Sequence, residues 1–541
     1  MGGGWRQLWA AGAGLLCWLG LAGAWWAWTG AARHLGDSPG MPVACVSFAP
    51  YGAGQSPFQR LDLPPEQIDA DLAALRAVSR CVRTYSSRSG LEATAALAGR
   101  HGIAVALGAW IGSNDKDNRL EIEALIAAAN AHPETVTRVI VGNEVLLRVE
   151  LRADQLANYL DEVRARVKQP VTYADVWEFW LRNPQLADHV DFITVHILPF
   201  WEDEPVAVDV AIEHVLATYR QVRAAFAGRE IFIGETGWPS AGRAREGARP
   251  GRIEQGRYVR EFLAAASREG FDYSLIEAFD QRWKRQLEGT VGGAWGLLDA
   301  WRRPKGTLLP DVVGNPSWRW HAGLTAALAL LATLVAWRRG GPPTAGGWFW
   351  QAGAATAVAL ALTLQARHVA ESFHTPLGWL ANLAGLAAMA LLAAALLDLL
   401  RARFRGEAHP AASAVPVAET LAWLTRPPPW RLSAAQGFAA LHVAIDGAAL
   451  TTAAGLLSDP RYRDFPTALF LVPAFGLALR TLFVREASAA GGREEGLLAL
   501  LYLGLALAIV LNEGPLNRQS AGFALVLLLM ALPRARAARA T

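Results

Sequence analysis

Cysteine is scarce: the 541 residues hold three, Cys17, Cys45 and Cys81. None are spaced as metal ligands are, which excludes a structural zinc site, and three are too few for a disulfide-dense scaffold. Cys17 lies in an apolar run. Cys45 and Cys81 fall on the first two expected strands of a soluble region, where they could face each other; buried free thiols on adjacent strands are the expectation. Charge of one sign is also lacking. Lys and Arg total 51 against 48 Asp and Glu, a net +3 that points to no nucleic-acid partner. No phosphate-binding loop or dinucleotide fingerprint occurs, so no cofactor is expected. Asp69-Ala70-Asp71 and Asp115-Lys116-Asp117 match the D-x-D pattern of sugar-nucleotide transferases. With 48 acids such matches arise by chance, and Asp69 falls on an expected helix.

Apolar residues and tryptophan are abundant, at 52% hydrophobic content and 22 Trp. Most charges lie between about residues 33 and 310, and long apolar runs flank them. The run over 8–32 is long enough to cross a bilayer and rich in Trp near its outer end, so an uncleaved anchor over 1–35 is expected rather than a signal peptide. Seven further spans are expected near 321–337, 347–366, 377–399, 434–457, 466–484, 496–512 and 519–533, forming a C-terminal transmembrane domain over 321–541 after a proline-marked linker at 306–320. If all are real, Arg338-Arg339, Arg401, Arg403, Arg405, Arg485, Arg493, Arg534, Arg536 and Arg539 share one side. Arginine-rich loops stay in the cytoplasm. The expectation is a multi-pass protein of the cell inner membrane, with its charged region on the periplasmic side and the lipid bilayer as a partner.

Within 40–305 the pattern alternates. Strands are expected over 43–49, 81–86, 103–110, 137–143, 171–175, 191–198, 230–234 and 273–279. Helices are expected over 65–78, 91–101, 118–131, 153–167, 183–187, 208–226 and 252–268. Eight strands joined by helices predict an α/β fold, a (β/α)8 TIM barrel, whose strand ends gather at one face.

Two of those ends carry a carboxylate. Val141-Gly142-Asn143-Glu144-Val145 closes the fourth expected strand, and Gly234-Glu235-Thr236-Gly237-Trp238-Pro239-Ser240 closes the seventh. Glycoside hydrolysis with retention uses two carboxyl groups about 5–5.5 Å apart, one as nucleophile and one as acid then base. An amide beside one of them, Asn143, suits the sugar 2-hydroxyl. The bland alternative, two unrelated surface glutamates, does not account for paired strand ends with Asn143 and Trp238 adjacent.

These two motifs resemble the active-site signatures of glycoside hydrolase family 17, the β-1,3-glucanase and glucanosyltransferase family of retaining (β/α)8 enzymes. The resemblance covers roughly residues 43–300. It implies that Glu144 is the acid/base and Glu235 the nucleophile. Tyr51 in Ala-Pro-Tyr-Gly and Tyr85 in Arg-Thr-Tyr-Ser match sugar-contacting positions. Glu277-Ala-Phe-Asp280-Gln-Arg-Trp283-Lys284 is similar to the family's acidic, lysine-containing eighth strand end, departing from the plant enzymes' Phe-Asn-Glu-Asn. Gly293 to Asp299 resembles its closing Gly-Leu-Phe segment. An anchor, this barrel and several C-terminal spans together resemble bacterial membrane-bound proteins described as β-glucan synthases or glucanosyltransferases.

The expected activity is retaining transfer on β-1,3-glucan, remodelling, branching or cyclising it with β-1,6 links among the products, a β-glucan serving as donor and acceptor. Hydrolysis, endo or exo, is the alternative. A glucan-binding or export-assembly membrane protein, with synthesis or export machinery as partner, is the third. Asn143, Tyr173, Trp177, His196, Trp238, Glu277, Asp280, Trp283 and Lys284 are expected at the sugar site beside Tyr51 and Tyr85, with Trp110, Trp180 and Trp201 as further stacking platforms. A structural role for His196 is an equal alternative. In the membrane half, Glu371 and His374 fall in an outer loop. His442 and Asp446, four residues apart, share a helix face and could pair, line a conduit or mark a segment that is no span.

Overall fold

Short runs of β-branched and small apolar residues build the first unit, residues 32–313; a second unit contains 1–31 and 314–541. The computed structural model describes residues 2–37, 41–59, 61–372, 375–413, 415–425, 433–484 and 492–539. The strands are β1 (Ala32–His34), β2 (Val46–Ser47), β3 (Cys81–Arg83), β4 (Ala104–Ala109), β5 (Val136–Asn143), β6 (Val171–Val176), β7 (Ile193–His196), β8 (Ile231–Thr236), β9 (Asp272–Leu275) and β10 (Asp311–Val313). Strands β2 to β9 close a barrel in sequence order, all parallel, with β9 returning to β2. The eight expected strands are all present.

The helices of this unit are α2 (Pro65–Leu75), α3 (Thr94–Arg100), α4 (Asp115–Ala131), α5 (Ala153–Arg164), α6 (Trp177–Arg182), α7 (Ala211–Ala225), α8 (Arg252–Glu269) and α9 (Arg285–Gly292), following α1 (Gly2–Thr29) of the other unit. Each major helix turns one apolar stripe inward: Ile68, Leu72 and Leu75 on α2, and Leu156, Leu160 and Val163 on α5, are buried in one core. Emptying such a position, as Leu160→Ala would, costs about 2–5 kcal/mol. The short helix expected over 183–187 is a 3-10 turn, Pro184–His189, and α6 ahead of it starts directly from β6.

One expectation needs correction. Cys45 and Cys81 form a disulfide, with Cα atoms 4.3 Å apart. Val46 pairs with Val82 in the β2–β3 register, which sets the two cysteines one residue earlier face to face. Within the stretch expected as a linker, 306–320, residues Asp311–Val313 form a strand. Val312 and Val313 lie in β10, which pairs antiparallel with β1, Ala32 opposite Val313.

The second unit comprises α1 with α10 (Trp318–Arg338), α11 (Ala345–Ser372), α12 (Pro376–Arg405), α13 (Val417–Leu424), α14 (Ala434–Ser458), α15 (Thr467–Phe483), α16 (Arg493–Glu513) and α17 (Arg518–Ala538). Among the described residues seven helices are long and apolar enough to cross a membrane: α1, α10, α11, α12, α14, α16 and α17. The span expected over 466–484 is α15, an apolar helix of 17 residues with Pro473 inside, about 26 Å long against an apolar bilayer core of about 30 Å. Helix α1 packs into this bundle: buried Trp26 donates from Nε1 to Thr325 Oγ1 at 3.0 Å, and Trp18 to the Phe349 carbonyl.

The span carrying His442 and Asp446 is the 25-residue helix α14. Asp446 accepts from the Tyr502 hydroxyl at 2.7 Å and pairs with Arg534, while His442 Nε2 stands 3.9 Å away. The acid is thus paired across helices. Glu371 pairs with Arg367 one turn earlier at 2.7 Å. His374 and Arg485 lie outside the described residues.

Denatured without reductant, the protein is expected to take up one thiol label, at Cys17, and three after reduction. Mass spectrometry of the alkylated protein checks this; three labels without reduction would contradict the pairing.

Candidate active site

Strand ends β3, β5, β7 and β8 converge on one cluster. Parallel strands alternate side chains between the barrel interior and the helix layer, so residues two apart face the same way. Arg83 ends β3 and Tyr85 follows two residues later. Asn143 ends β5, His196 ends β7 and Glu235 is next to last on β8. Across the β7–β8 pairing, His196 is opposite Glu235.

The chain after β5 is turned sharply. Gly142 sits at φ +85°, where an added Cβ would meet Val145 at 2.8 Å. Glu144 itself sits at φ +53°, a left-handed conformation costing a non-glycine residue about 1–3 kcal/mol. The neighbours that hold it there are buried. Tyr173 accepts from Leu146 N–H at 3.0 Å and donates to Asp175. The Asp175 carboxylate also accepts from the N–H of Leu146, Leu147 and Val176. Burial lifts the Asp175 carboxyl to about 6 against the pull of the Tyr173 hydrogen bond. Tyr173, expected at the sugar site, instead anchors the loop that presents Glu144.

One oxygen each of Glu144 and Glu235, with a His196 nitrogen, lie within 4.8 Å of one another. That spacing matches the carboxylate pair of a retaining glycosidase. His196 bridges them: Nδ1 is 2.8 Å from Glu144 Oε1, and Nε2 is 3.7 Å from Glu235 Oε1. Beneath lies fully buried Arg83. Its Nη1 donates to Glu235 Oε1 at 2.6 Å and to the Gly234 carbonyl, and its Nη2 donates to Asn143 Oδ1 at 2.5 Å. The Tyr85 hydroxyl donates to the same Glu235 oxygen at 2.7 Å. Burial pushes the Glu235 carboxyl up, but His196, Arg83, the Tyr85 hydroxyl and Lys284 outweigh it and hold it down at about 2. Glu235 is therefore an anion at neutral pH, as a nucleophile must be. The three ligating groups could hold a cation by distance alone. A buried guanidinium on Glu235 Oε1 opposes that by charge.

Of the other expected residues, Glu277 is buried and paired with Lys284 at 3.0 Å. Burial raises its carboxyl to about 7 against that pairing. Trp283 donates to Gln281 Oε1 and meets Tyr51 edge-on, ring centroids 6.4 Å apart. Trp177 donates to Glu202 at 3.2 Å, and Trp201 stacks on Phe200. Trp110, 41% exposed, has the Arg148 guanidinium 4.1 Å over its ring. Three placements differ from expectation. Trp238 is fully buried, donating to the Arg249 carbonyl at 2.9 Å. Trp180 is buried against the Thr194 carbonyl. Neither offers a ring face to a sugar. Asp280 is tied to Lys305 at 2.8 Å and to Gly296 N–H, which fixes the segment after β9.

Arg83 and Asp175 are not among the residues expected at the site. The signal for Arg83 was a charged residue inside the apolar strand Cys81-Val82-Arg83, two positions before Tyr85 and so on its face. For Asp175, two residues after Tyr173, it was the same spacing.

Arg83→Met is expected to lower kcat/KM by roughly 10³-fold and to move its acid limb to higher pH, because Glu235 loses a cation that holds it ionised. Arg83→Lys, which keeps the charge, should restore part of both. In the unsubstituted enzyme, the stability contributed by Glu235 is fully present above its ordinary value of 4.5 and is lost as pH falls through about 2. Steady-state pH profiles with thermal melts check these; an unmoved acid limb in Arg83→Met would contradict them.

The BtgE/BtgC glycoside hydrolase domain matches residues 45–296. The chain is 29% identical over 232 residues to the glucan 1,3-beta-glucosidase of Schizosaccharomyces pombe, covering 40% of this chain and 72% of that protein. It is 27% identical over 254 residues to the glucan 1,3-beta-glucosidase of Arthroderma benhamiae, covering 44% and 82%. A btgC protein of Aspergillus niger is 29% identical over 307 residues, 50% of this chain; the chain spans 44% of that relative's length. A solved family 17 beta-1,3-glucanosyltransferase of Rhizomucor miehei is similar at 24% identity and a TM-score of 0.44, over 50% of this chain and 98% of that one. The stretch that matches a glycoside hydrolase domain of the BtgE/BtgC type, residues 45–296, thus includes the barrel and both carboxylates.

Proposed function

We propose that this protein is a membrane-bound glucanosyltransferase that acts on β-1,3-glucan with retention, through a covalent glucosyl-enzyme. The observation that carries the reading is the spacing of Glu144 and Glu235, within 4.8 Å, with Glu235 held as the anion. Glu235 attacks the anomeric carbon while Glu144 gives its proton to the departing oxygen. Glu144 then takes a proton from the incoming hydroxyl, which displaces Glu235 from the sugar. Asn143, braced by Arg83, faces the 2-hydroxyl of the sugar under attack. His196 keeps Glu144 oriented through both steps.

The substrate class follows the two fungal relatives, both named as glucan 1,3-beta-glucosidases. Those names equally favour water as acceptor, which is the second reading. Transfer is preferred because an anchor, barrel and C-terminal spans resemble the bacterial membrane-bound β-glucan synthases. A sugar hydroxyl, forming a β-1,6 link, a branch or a ring, then replaces water. The Cys45–Cys81 disulfide supports an oxidising compartment for the barrel. Arginines at the ends of α10, α12 and α17 support the opposite, cytoplasmic side for those termini. The reading is therefore an inner-membrane enzyme working in the periplasm, with glucan synthesis or export machinery as the partner its membrane half would serve.

Full-length enzyme in detergent, given laminarioligosaccharides, is expected to yield products longer than the donor, or branched or cyclic, by mass spectrometry and linkage analysis. Exclusively shorter sugars at high donor concentration would establish hydrolysis instead. Glu235→Gln should lower turnover by 10³-fold or more. In Glu144→Gln, a donor with a very good leaving group should still label Glu235 covalently, since it needs no acid for the first step; an unlabelled Glu235 would overturn the assigned roles.

A further inference from the structure

We infer that Phe58 is the platform of an outer donor subsite, which grips a glucan chain beyond the sugars next to the carboxylates and sets the donor length the enzyme prefers. The inference rests on the glucan reading above. Phe58 lies on the loop between β2 and α2 and is 70% exposed. A large aromatic ring so exposed is unremarkable when it stands alone. This one does not. Its ring meets Trp283 edge-on with centroids 5.6 Å apart, and Trp283 meets Tyr51 edge-on at 6.4 Å. Tyr51 and Phe58 follow β2 and Trp283 follows β9; in the closed barrel β9 lies between β2 and β8, the strand of Glu235, whereas Glu144 follows β5 on the far side of the ring. The three rings therefore lie on the Glu235 side of the barrel mouth, with Phe58 exposed and Tyr51 and Trp283 half-buried.

The side matters. In the proposed reaction Glu235 bonds to the donor sugar and Glu144 faces the leaving group. Sugars on the Glu235 side are the part of the donor that is retained. A row of rings on that side fits the apolar faces of successive retained glucosyl units.

The loop is also built to hold the ring still. Gln67 on α2 donates to the Pro50 carbonyl at 2.6 Å and exchanges hydrogen bonds with Gln55. Gln55 in turn accepts from Gly52 N–H at 2.7 Å. Ser56 N–H donates to Gln59 Oε1, and Phe58 N–H donates to Ser56 Oγ at 3.2 Å, closing a 3-10 turn over Pro57–Gln59. A ring fixed in advance binds without the cost of ordering the loop. None of these bonds involves the Phe58 side chain, so its substitution leaves them in place.

The test is donor-length dependence, read as kcat/KM for laminarihexaose over that for laminaritriose with the full-length enzyme. Phe58→Ala should lower this ratio by roughly three- to tenfold without moving the melting temperature. Phe58→Trp, which keeps a flat ring, should hold the ratio near that of the unsubstituted enzyme. An unchanged ratio in Phe58→Ala, or an equal loss on both donors, would overturn the subsite while leaving the glucan reading intact. An unsubstituted enzyme inactive on both donors would overturn the subsite together with the reading it rests on.

Discussion

The ion pair between Arg83 and Glu235 is the interaction on which the site depends. Both groups are buried at the barrel mouth, where a lone charge would cost several kcal/mol. Neither is alone. The guanidinium spans Glu235, the Gly234 carbonyl and Asn143, and the carboxylate also takes the Tyr85 hydroxyl. One cation from β3 thereby fixes Glu235 on β8 and the amide on β5. The closed parallel barrel makes this possible, because it brings ends far apart in sequence into one ring.

Glu144 is treated differently. Its backbone is held in a left-handed turn by Gly142 ahead of it and by the Tyr173–Asp175 pair behind it. Its side chain meets His196, whose Nδ1 is 2.8 Å from Oε1. The two carboxylates thus differ in surroundings, as the proposed roles require. One is clamped as an anion by a buried cation, and the other is partly exposed beside His196. Among the described residues the membrane unit follows the same rule of paired burial, with Asp446 set between Tyr502 and Arg534.

The legible parts of the sequence were those with a local signature. Eight apolar runs broken by amphipathic helices predict the barrel, and the polar residue that ends each run marks the site. What escaped depends on register and burial. Whether Cys45 meets Cys81 turns on a one-residue alignment of β2 and β3 that composition does not contain. Trp180 and Trp238 read as platforms because Trp serves both sugars and cores; their indole nitrogens turn out to bond backbone carbonyls inside the fold. Asp280 sits in an acidic segment, yet its charge is spent on Lys305. Arg83 carries no local signature of its role, because a charge inside an apolar strand makes sense only with its partner Glu235, five strands later, in view. In the membrane half, α15 is one turn short of an obvious span, a difference that hydropathy does not separate.

The stereochemistry of the first product tests the central claim most directly. Following fresh cleavage of a β-1,3-glucan oligosaccharide by proton NMR, before mutarotation, the account predicts that new reducing ends appear as the β-anomer. Double displacement through Glu235 allows nothing else. Initial release of the α-anomer would mean a single inverting displacement, and the Glu144–Glu235 pairing would have to be abandoned.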